Sequence, residues 1–146
     1  MSQQHDPFVQ ILDAYAAAVR AKNVDAFVAI YADDVHVFDM WGTWSLQGIA
    51  AWRAMAEQWF SSLGDEQVVV SVTDARSTVH AEITVGHASL TYAAVSASGV
   101  TLRSLDNRIT LALRKTRGAW KIFHEHTSAP IDHATLRAQL KRGGGA

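Results

Sequence analysis

An aspartate lies inside an apolar and aromatic stretch of the chain. Asp39 stands between Phe38 and Met40 in the segment YADDVHVFDMWG, residues 31–42. Charged side chains are rarely placed in apolar runs unless they are paired or functional. Burial in an apolar pocket would raise the pKa of Asp39 and make it a usable general base. Asp39 is either a proton-transfer base or an aspartate that ends a strand and hydrogen-bonds the turn at Gly42, and we take the base as our prediction.

Three further side chains are candidates for the same chemistry. Tyr15 lies on the apolar face of a predicted helix, where it is either a hydrogen-bond donor in a pocket or a core tyrosine paired with a backbone carbonyl. His124 and His126 are two residues apart on a predicted strand and therefore share a face. They either reach into a cavity as acid and base groups or join a network within the sheet. A metal site would need a third ligand, such as His80 or Asp39, and we predict no metal.

A second group of side chains is predicted to line a ligand pocket. Trp41 and Trp44 fall in a loop, where a tryptophan has no nearby core to enter, so a ligand or a partner is expected there. Trp59 is at helical spacing with Trp52, which is also the spacing of core positions. A buried Arg108 would favour a ligand with a carboxylate. The predicted ligand-binding residues are Trp41, Trp44, Trp59, Tyr92, Asp106 and Arg108.

Length and composition indicate one folded domain. The chain has 146 residues, of which 49% are hydrophobic and 18% charged, enough apolar material for a real core. We predict a single domain, 1–146, with its core at about residues 7–130 and a C-terminal tail from residue 131. The net charge of −1 and the lack of a basic, aromatic stripe predict no nucleic-acid partner.

The location of the protein is predicted from the same composition. The chain has no cysteine, which excludes disulfides and thiol catalysis and is consistent with a reducing compartment. The first residues show no basic region followed by an apolar one, so no signal peptide is expected. No apolar run is long enough to suggest a membrane span. We therefore expect a cytoplasmic protein without a membrane partner.

The periodicity of apolar residues changes from helical to alternating along the chain. Helices are predicted at residues 7–21, after Asn23 as far as Asp33 and Asp34, and at 48–63. Strands are predicted at 35–40, 67–73, 78–85, 88–96, 100–115 and 120–128. A bend or bulge is expected near residues 106–107, a short helix after Asp132, and a frayed end from Arg142.

Helices followed by antiparallel strands predict an α+β fold. Three N-terminal helices would pack on one face of a curved antiparallel sheet and close it into a cone with an internal pocket. The other face of such a sheet is expected to pair with a second copy, which predicts a homodimer. Val68, Val70, Leu111 and Phe123 are the candidates for that surface.

Two stretches resemble the SnoaL-like, or nuclear transport factor 2-like, superfamily. Residues 31–42 look like the opening of the ketosteroid isomerases. Residues 118–130, GAWKIFHEHTSAP, are similar to the closing strand of SnoaL-like proteins and of the calcium/calmodulin-dependent kinase association domain. The resemblance covers residues 7–130 and implies a cystatin-like fold. It does not imply one activity, because this fold hosts isomerases, dehydratases, cyclases, hydrolases and binding modules.

The comparison with ketosteroid isomerases assigns roles to single residues. In those enzymes a tyrosine on the first helix donates a hydrogen bond to the substrate oxygen and a base aspartate follows on the first strand; Tyr15 and Asp39 fall at these places. A second, protonated aspartate of that family would correspond to Asp106. The closing His-x-His departs from the isomerases, so steroid isomerisation itself is not predicted.

Taken with the residues, the resemblance predicts a protein that binds a small, largely apolar or aromatic molecule in an internal cavity. The expected reaction is proton transfer without a cofactor, of the isomerase, dehydratase or cyclase type. The alternative is a ligand-binding or oligomerisation module that does no chemistry.

Overall fold

The computed structural model describes residues 6–143 and contains three helices and six strands over that range. The helices are α1 (Pro7–Ala21), α2 (Val24–Val28) and α3 (Ile49–Ser61). The strands are β1 (Tyr31–Phe38), β2 (Leu46–Gln47), β3 (Gln67–Val79), β4 (Ile83–Val95), β5 (Thr101–Thr116) and β6 (Ala119–Ser128).

The strands form one curved sheet in the order β2-β1-β6-β5-β4-β3. The strands from β3 to β6 follow one another as an antiparallel meander, whereas β1 pairs with β6 in parallel. The sheet is therefore mixed rather than purely antiparallel. The predicted α+β architecture, with helices on one face of a curved sheet, is confirmed.

Helix α1 follows its predicted bounds because both of its ends carry clear signals. The side chain of Asp6 accepts a hydrogen bond from the backbone N–H of Phe8 at 2.8 Å, and Pro7 occupies the first turn. Phe8 then packs directly on the sheet at Gly86. A Cβ at Gly86 would lie 2.4 Å from the Phe8 ring, so only glycine permits this close approach of helix to strand.

The core lies between the helices and the inner face of the sheet. Ile109, Leu111 and Leu113 alternate inward along β5 and are at most 1% exposed. On the helical side, Phe27 is the centre of an aromatic cluster. Its ring centroid lies 5.3–6.4 Å from those of Tyr15, Tyr31, Trp52, Trp59 and Phe60.

Two long strands replace three shorter predicted ones. The prediction of separate strands at 67–73 and 78–85 was wrong, because the chain bends at Asp74 without leaving the sheet. Asp74 has a φ of 54°, and the pairing of β3 with β4 shifts between Thr73 and Arg76. The real turn lies at residues 80–82, where the N–H of His80 donates to the carbonyl of Ile83 at 2.9 Å. That turn contains no glycine, proline or asparagine, so none of the usual turn residues marks it.

Other boundaries also differ from the prediction. Helix α2 ends at Val28, and β1 already begins at Tyr31. Neither a bend nor a bulge interrupts β5 at residues 106–107, where Asp106 and Asn107 pair in register with β4. Asp132 caps only a turn: its side chain accepts from the N–H groups of residues 134 and 135, and no helix follows within the described residues.

The segment after β6 returns along the edge of β5. The N–H of Asp106 donates to the carbonyl of Leu140 at 2.8 Å, in the part of β5 beyond the end of β6. Arg142, predicted to begin a frayed end, donates to Thr73 Oγ1 at 3.0 Å and pairs with Asp74. The last residues of that predicted end, 144–146, lie outside the described residues. Residues 1–5, which were part of the basis for predicting no signal peptide, also lie outside them.

Most of the residues proposed for a dimer surface belong to the core. Val68 and Leu111 are buried under the helices, and Val70 packs against the same cluster. They point inward because the alternation of β3 and β5 places them on the helical face. Only Phe123 lies apart from this core, beneath the guanidinium of Arg114. The homodimer itself stays a prediction. Among the described residues, no helix has the length and apolar character of a membrane span.

Candidate functional site

A cleft of about 1070 Å³ opens between α3 and the inner face of the sheet. Its walls are largely apolar and aromatic, and include Trp41, Leu46, Trp52, Met55, Trp59 and Val68. The polar side chains that line it come from several elements and include six from five different elements or their ends: Tyr15, Asp39, Tyr92, Asn107, Glu125 and Thr127. The size and the mixture of walls suit a small organic molecule.

A one-residue bulge in β6 decides which side chains reach this cleft. Ile122 pairs with Leu113 and His124 with Ala112, so Phe123 has no partner residue on β5. The extra residue reverses the alternation beyond it. Glu125 consequently faces inward and is only 1% exposed.

Glu125 is a buried carboxyl with one hydrogen-bond partner. The hydroxyl of Tyr31 donates to Glu125 Oε1 at 2.6 Å. None of the ion pairs among residues 6–143 involves this carboxyl. Burial raises its pKa to about 7, the hydrogen bond from Tyr31 opposes this rise, and the negative charge of Asp39 adds to it. Glu125 is therefore poised to gain or lose a proton near neutral pH.

Asp39 is the second carboxyl of the cleft and comes directly after β1. Thr127 donates to Asp39 Oδ1 at 3.2 Å and accepts from the N–H of Met40 at 3.1 Å. Burial raises the pKa of Asp39, opposed by hydrogen bonds from Thr127 and from the backbone N–H groups of Trp41 and Met40. Thr127 and Glu125 are alternate residues on one face of β6, about 7 Å apart along the strand. The two carboxyls therefore flank one space.

A pair of phenols completes the polar part of the cleft. The hydroxyls of Tyr15, on α1, and Tyr92, on β4, lie 2.9 Å apart. Burial raises the pKa of both, so both stay protonated at neutral pH. Because one hydroxyl donates to the other, one proton of the pair is left for a ligand.

Half of the predicted site residues come together in this cleft. Asp39 and Tyr15, predicted as base and hydrogen-bond donor, both line it, as do the predicted ligand-binding residues Trp41, Trp59 and Tyr92. Trp44, the other tryptophan predicted in this loop, is 95% exposed and does not line the cleft.

The two predicted catalytic histidines lie on the outer face of the sheet, because of the bulge at Phe123. The ring of Phe38 stands 4.9 Å from that of His124 and 5.5 Å from that of His126. His124 Nδ1 lies 2.7 Å from the carbonyl oxygen of His36. In this geometry neither imidazole reaches the cleft. No set of three metal-binding side chains is found among the described residues.

Asp106 and Arg108 also fall outside the cleft. Asp106 accepts hydrogen bonds from Thr91 Oγ1 at 2.7 Å and from the N–H of Arg142 at 2.6 Å. The hydrogen bond from Arg142 is the largest cause that lowers the pKa of Asp106, so it does not serve as the protonated acid of the isomerase comparison. Arg108 is exposed and donates to Ser128 Oγ at 3.2 Å. The arginine that does line the cleft, Arg103, pairs with Glu66 at 2.6 Å.

The sequence interpretation missed the three buried polar residues that line the cleft: Asn107, Glu125 and Thr127. For Asn107 a signal was present, since it falls in phase with Ile109, Leu111 and Leu113 on β5. The face that Glu125 and Thr127 occupy depends on the bulge, and no glycine or proline in β6 marks the position of that bulge.

Comparison with known proteins identifies the family. A family model described as a SnoaL-like domain matches residues 9–132. The chain belongs to the SnoaL-like family. No curated protein matches this SnoaL-like chain in sequence.

Solved structures share the SnoaL-like architecture at low sequence identity. An NTF2-like protein of unknown function from Pseudomonas putida is 23% identical, with a TM-score of 0.81 over 96% of each chain. A protein assigned as a calcium/calmodulin-dependent protein kinase II association domain, from Xanthomonas campestris, is 15% identical, with a TM-score of 0.74 over 89% of each chain. A cystatin-like protein of unknown function from Nostoc punctiforme is 13% identical, with a TM-score of 0.70 over 87% of this chain and 92% of its own. At these identities the likeness concerns the fold alone.

Proposed function

We propose that this SnoaL-like protein binds a small, largely apolar or aromatic carbonyl compound in the cleft and moves a proton on it without a cofactor. Asp39 is the base, Glu125 is the acid, and the Tyr15–Tyr92 pair donates a hydrogen bond to the carbonyl oxygen. The reaction type is an isomerisation, or a dehydration or cyclisation that begins in the same way.

The observation that carries this proposal is the presence of two carboxyls in one largely apolar cleft, neither of them paired with a cation among the described residues. Asp39 and Glu125 both have raised pKa values, and neither has an ion-pair partner among the described residues. A buried carboxyl without a cation is costly, and such groups cluster at functional sites. Two carboxyls with different surroundings are suited to act as base and acid in one reaction.

The steps balance in protons. The ionised Asp39 takes a proton from a carbon next to the carbonyl, and the charge that develops on the oxygen is stabilised by the free phenol proton of the tyrosine pair. The protonated Glu125 then gives its proton to another atom of the substrate. Transfer of one proton from Asp39 back to Glu125 restores the starting state.

Deuterium uptake tests the first step without knowledge of the natural substrate. β-Tetralone, an aromatic ketone with acidic protons next to its carbonyl, is incubated with the protein in D₂O and followed by proton NMR. We expect Asp39→Asn to slow the exchange by about 100-fold or more, the usual contribution of a general base. Asp33→Asn is the control, because Asp33 lies on β1, the strand that leads to Asp39, and is exposed.

The pH profile tests the acid. A reaction that needs ionised Asp39 and protonated Glu125 is fastest below about pH 7 and slows above it, because Glu125 then loses its proton. Glu125→Gln keeps an acceptor for Tyr31 but cannot donate an acidic proton. With a ketone that isomerises, most product formation should be lost together with the slowing above pH 7, whereas deuterium uptake by β-tetralone, which needs only Asp39, should remain. Binding of β-tetralone without any exchange above that of buffer would instead support the binding-module alternative.

A further inference from the structure

One polar residue interrupts the inward row of β5. Positions 105, 107, 109, 111 and 113 face the helices or the cleft, and four of the five are leucine or isoleucine. Position 107 is asparagine, and it pairs with Leu90 on the neighbouring strand. The backbone register is regular at this point, so the strand needs no asparagine for its geometry.

The amide of Asn107 is poorly satisfied within the protein. Its Nδ2 donates to the sulfur of Met40 at 3.4 Å, and a thioether is a weak acceptor. Its Oδ1 has no hydrogen-bond partner among the described residues, although Asn107 is only 7% exposed. A buried carbonyl oxygen without a partner is rare in folded proteins and asks for an explanation.

The contact of Asn107 with Tyr92 uses the amide N–H and leaves Oδ1 free. Asn107 lines the cleft beside Tyr92, whose hydroxyl is paired with that of Tyr15. A hydrogen bond from the Asn107 side chain opposes the rise in the pKa of Tyr92, as a donor to the phenol oxygen does, and Oδ1 has no partner within residues 6–143. The Nδ2 assignment is supported by Met40, because an N–H is attracted to the sulfur lone pairs and a carbonyl oxygen is repelled by them.

We propose that Asn107 is the residue that selects the ligand, and that its Oδ1 accepts a hydrogen bond from a hydroxyl or N–H group at the polar end of that ligand. The inference rests on the proposed binding function of the cleft and narrows its substrate class. The ligand is then a hydroxylated or N–H-bearing aromatic or alicyclic molecule rather than one without a donor. Rotation about the last side-chain bond, which is soft in asparagine, turns Oδ1 toward it.

A matched pair of probes tests this selection. β-Naphthol and naphthalene differ by one hydroxyl, and their binding is measured by equilibrium dialysis with the wild-type protein and with Asn107→Leu. We expect the variant to bind β-naphthol about tenfold more weakly, the effect of one neutral hydrogen bond, and naphthalene unchanged. Thr110→Val, on the outer face of the same strand, is the control and should change neither. Asn107→Ala provides the same comparison if the leucine variant does not fold.

Stability provides a second readout. Removal of an unsatisfied buried amide should raise the thermal midpoint of Asn107→Leu above that of the wild type. An asparagine with a purely structural role would lower the midpoint instead.

Three outcomes would overturn the inference. If both probes bind the wild type and Asn107→Leu weakens them equally, Asn107 does not select, while binding in the cleft stands. If the methyl ether of β-naphthol, which only accepts, shows the larger loss, the amide presents N–H and not Oδ1. If neither probe binds the wild type, the proposed function fails together with the inference.

Discussion

The inner face of the sheet has two halves: one is packed against the helices, and the other lines the cleft. In the packed half, Leu111, Leu113 and Ile122 meet the helices and are at most 1% exposed. In the cleft half, β4, β5 and β6 present Tyr92, Asn107, Glu125 and Thr127 to a space of about 1070 Å³. The packed half has the apolar side chains that a stable core requires. The cleft half has polar side chains at positions where the core pattern would place apolar ones. Local departures of this kind are expected at functional sites.

The largest expected effect is in the packed half. Leu111→Ala should lower the free energy of unfolding by about 2–5 kcal/mol, because a closed cavity replaces well-packed atoms. Leu105→Ala should cost clearly less, because Leu105 already borders the open cleft and leaves no closed cavity. Urea unfolding of the two variants measures the difference. Equal losses would contradict the division into two halves.

The next effect is in the cleft half and depends on pH. The raised pKa of Glu125 means that the folded state holds this proton more tightly than the unfolded state. Its contribution to stability is therefore full below the ordinary pKa of 4.5 and is lost as the pH rises through about 7, a loss of about 3 kcal/mol. Glu125→Gln has no such proton to lose.

The stability of Glu125→Gln relative to the wild type should thus increase by about 3 kcal/mol between about pH 4 and about pH 8. Unfolding in urea at the two pH values measures it, and Glu57→Gln, at an exposed position of α3, is the control. A difference that does not change with pH would mean that this carboxyl titrates as it does in water.

The smallest effect is expected on the outer face. His126→Ala removes an exposed ring beside Phe38 and should change the free energy of unfolding by no more than about 0.5 kcal/mol. The exchange of β-tetralone should also stay unchanged, because this ring does not line the cleft. A large loss of exchange would restore the histidine to the role that the sequence pattern suggested for it.

The overall fold and two residues of the site, Tyr15 and Asp39, were predictable because the sequence signals for them are local. Asp6 and Pro7 mark the start of α1, and the helical spacing that follows places Tyr15 on its inner face. Asp39 is flanked by apolar residues in the sequence, and this pattern alone indicates a carboxyl that is shielded from water.

The rest of the site depends on which face of the sheet each strand residue occupies, and the local sequence does not determine this. A bulge of one residue at Phe123 exchanges the two faces of β6, so the histidines go outside and Glu125 goes inside. The absence of a bend in β5 places Asn107, and not Asp106, in the cleft. Both outcomes are set by pairing with neighbouring strands, which periodicity within one segment does not reveal.

The return of the chain along β5 has a practical consequence. Leu140 and Lys141 form part of the cleft wall, and Lys141 Nζ donates to Ser104 Oγ at 2.6 Å. A truncation before Leu140 would therefore remove part of the wall of the cleft whose occupancy is to be assayed. Shortened variants made for ligand titration should keep residues 140 and 141.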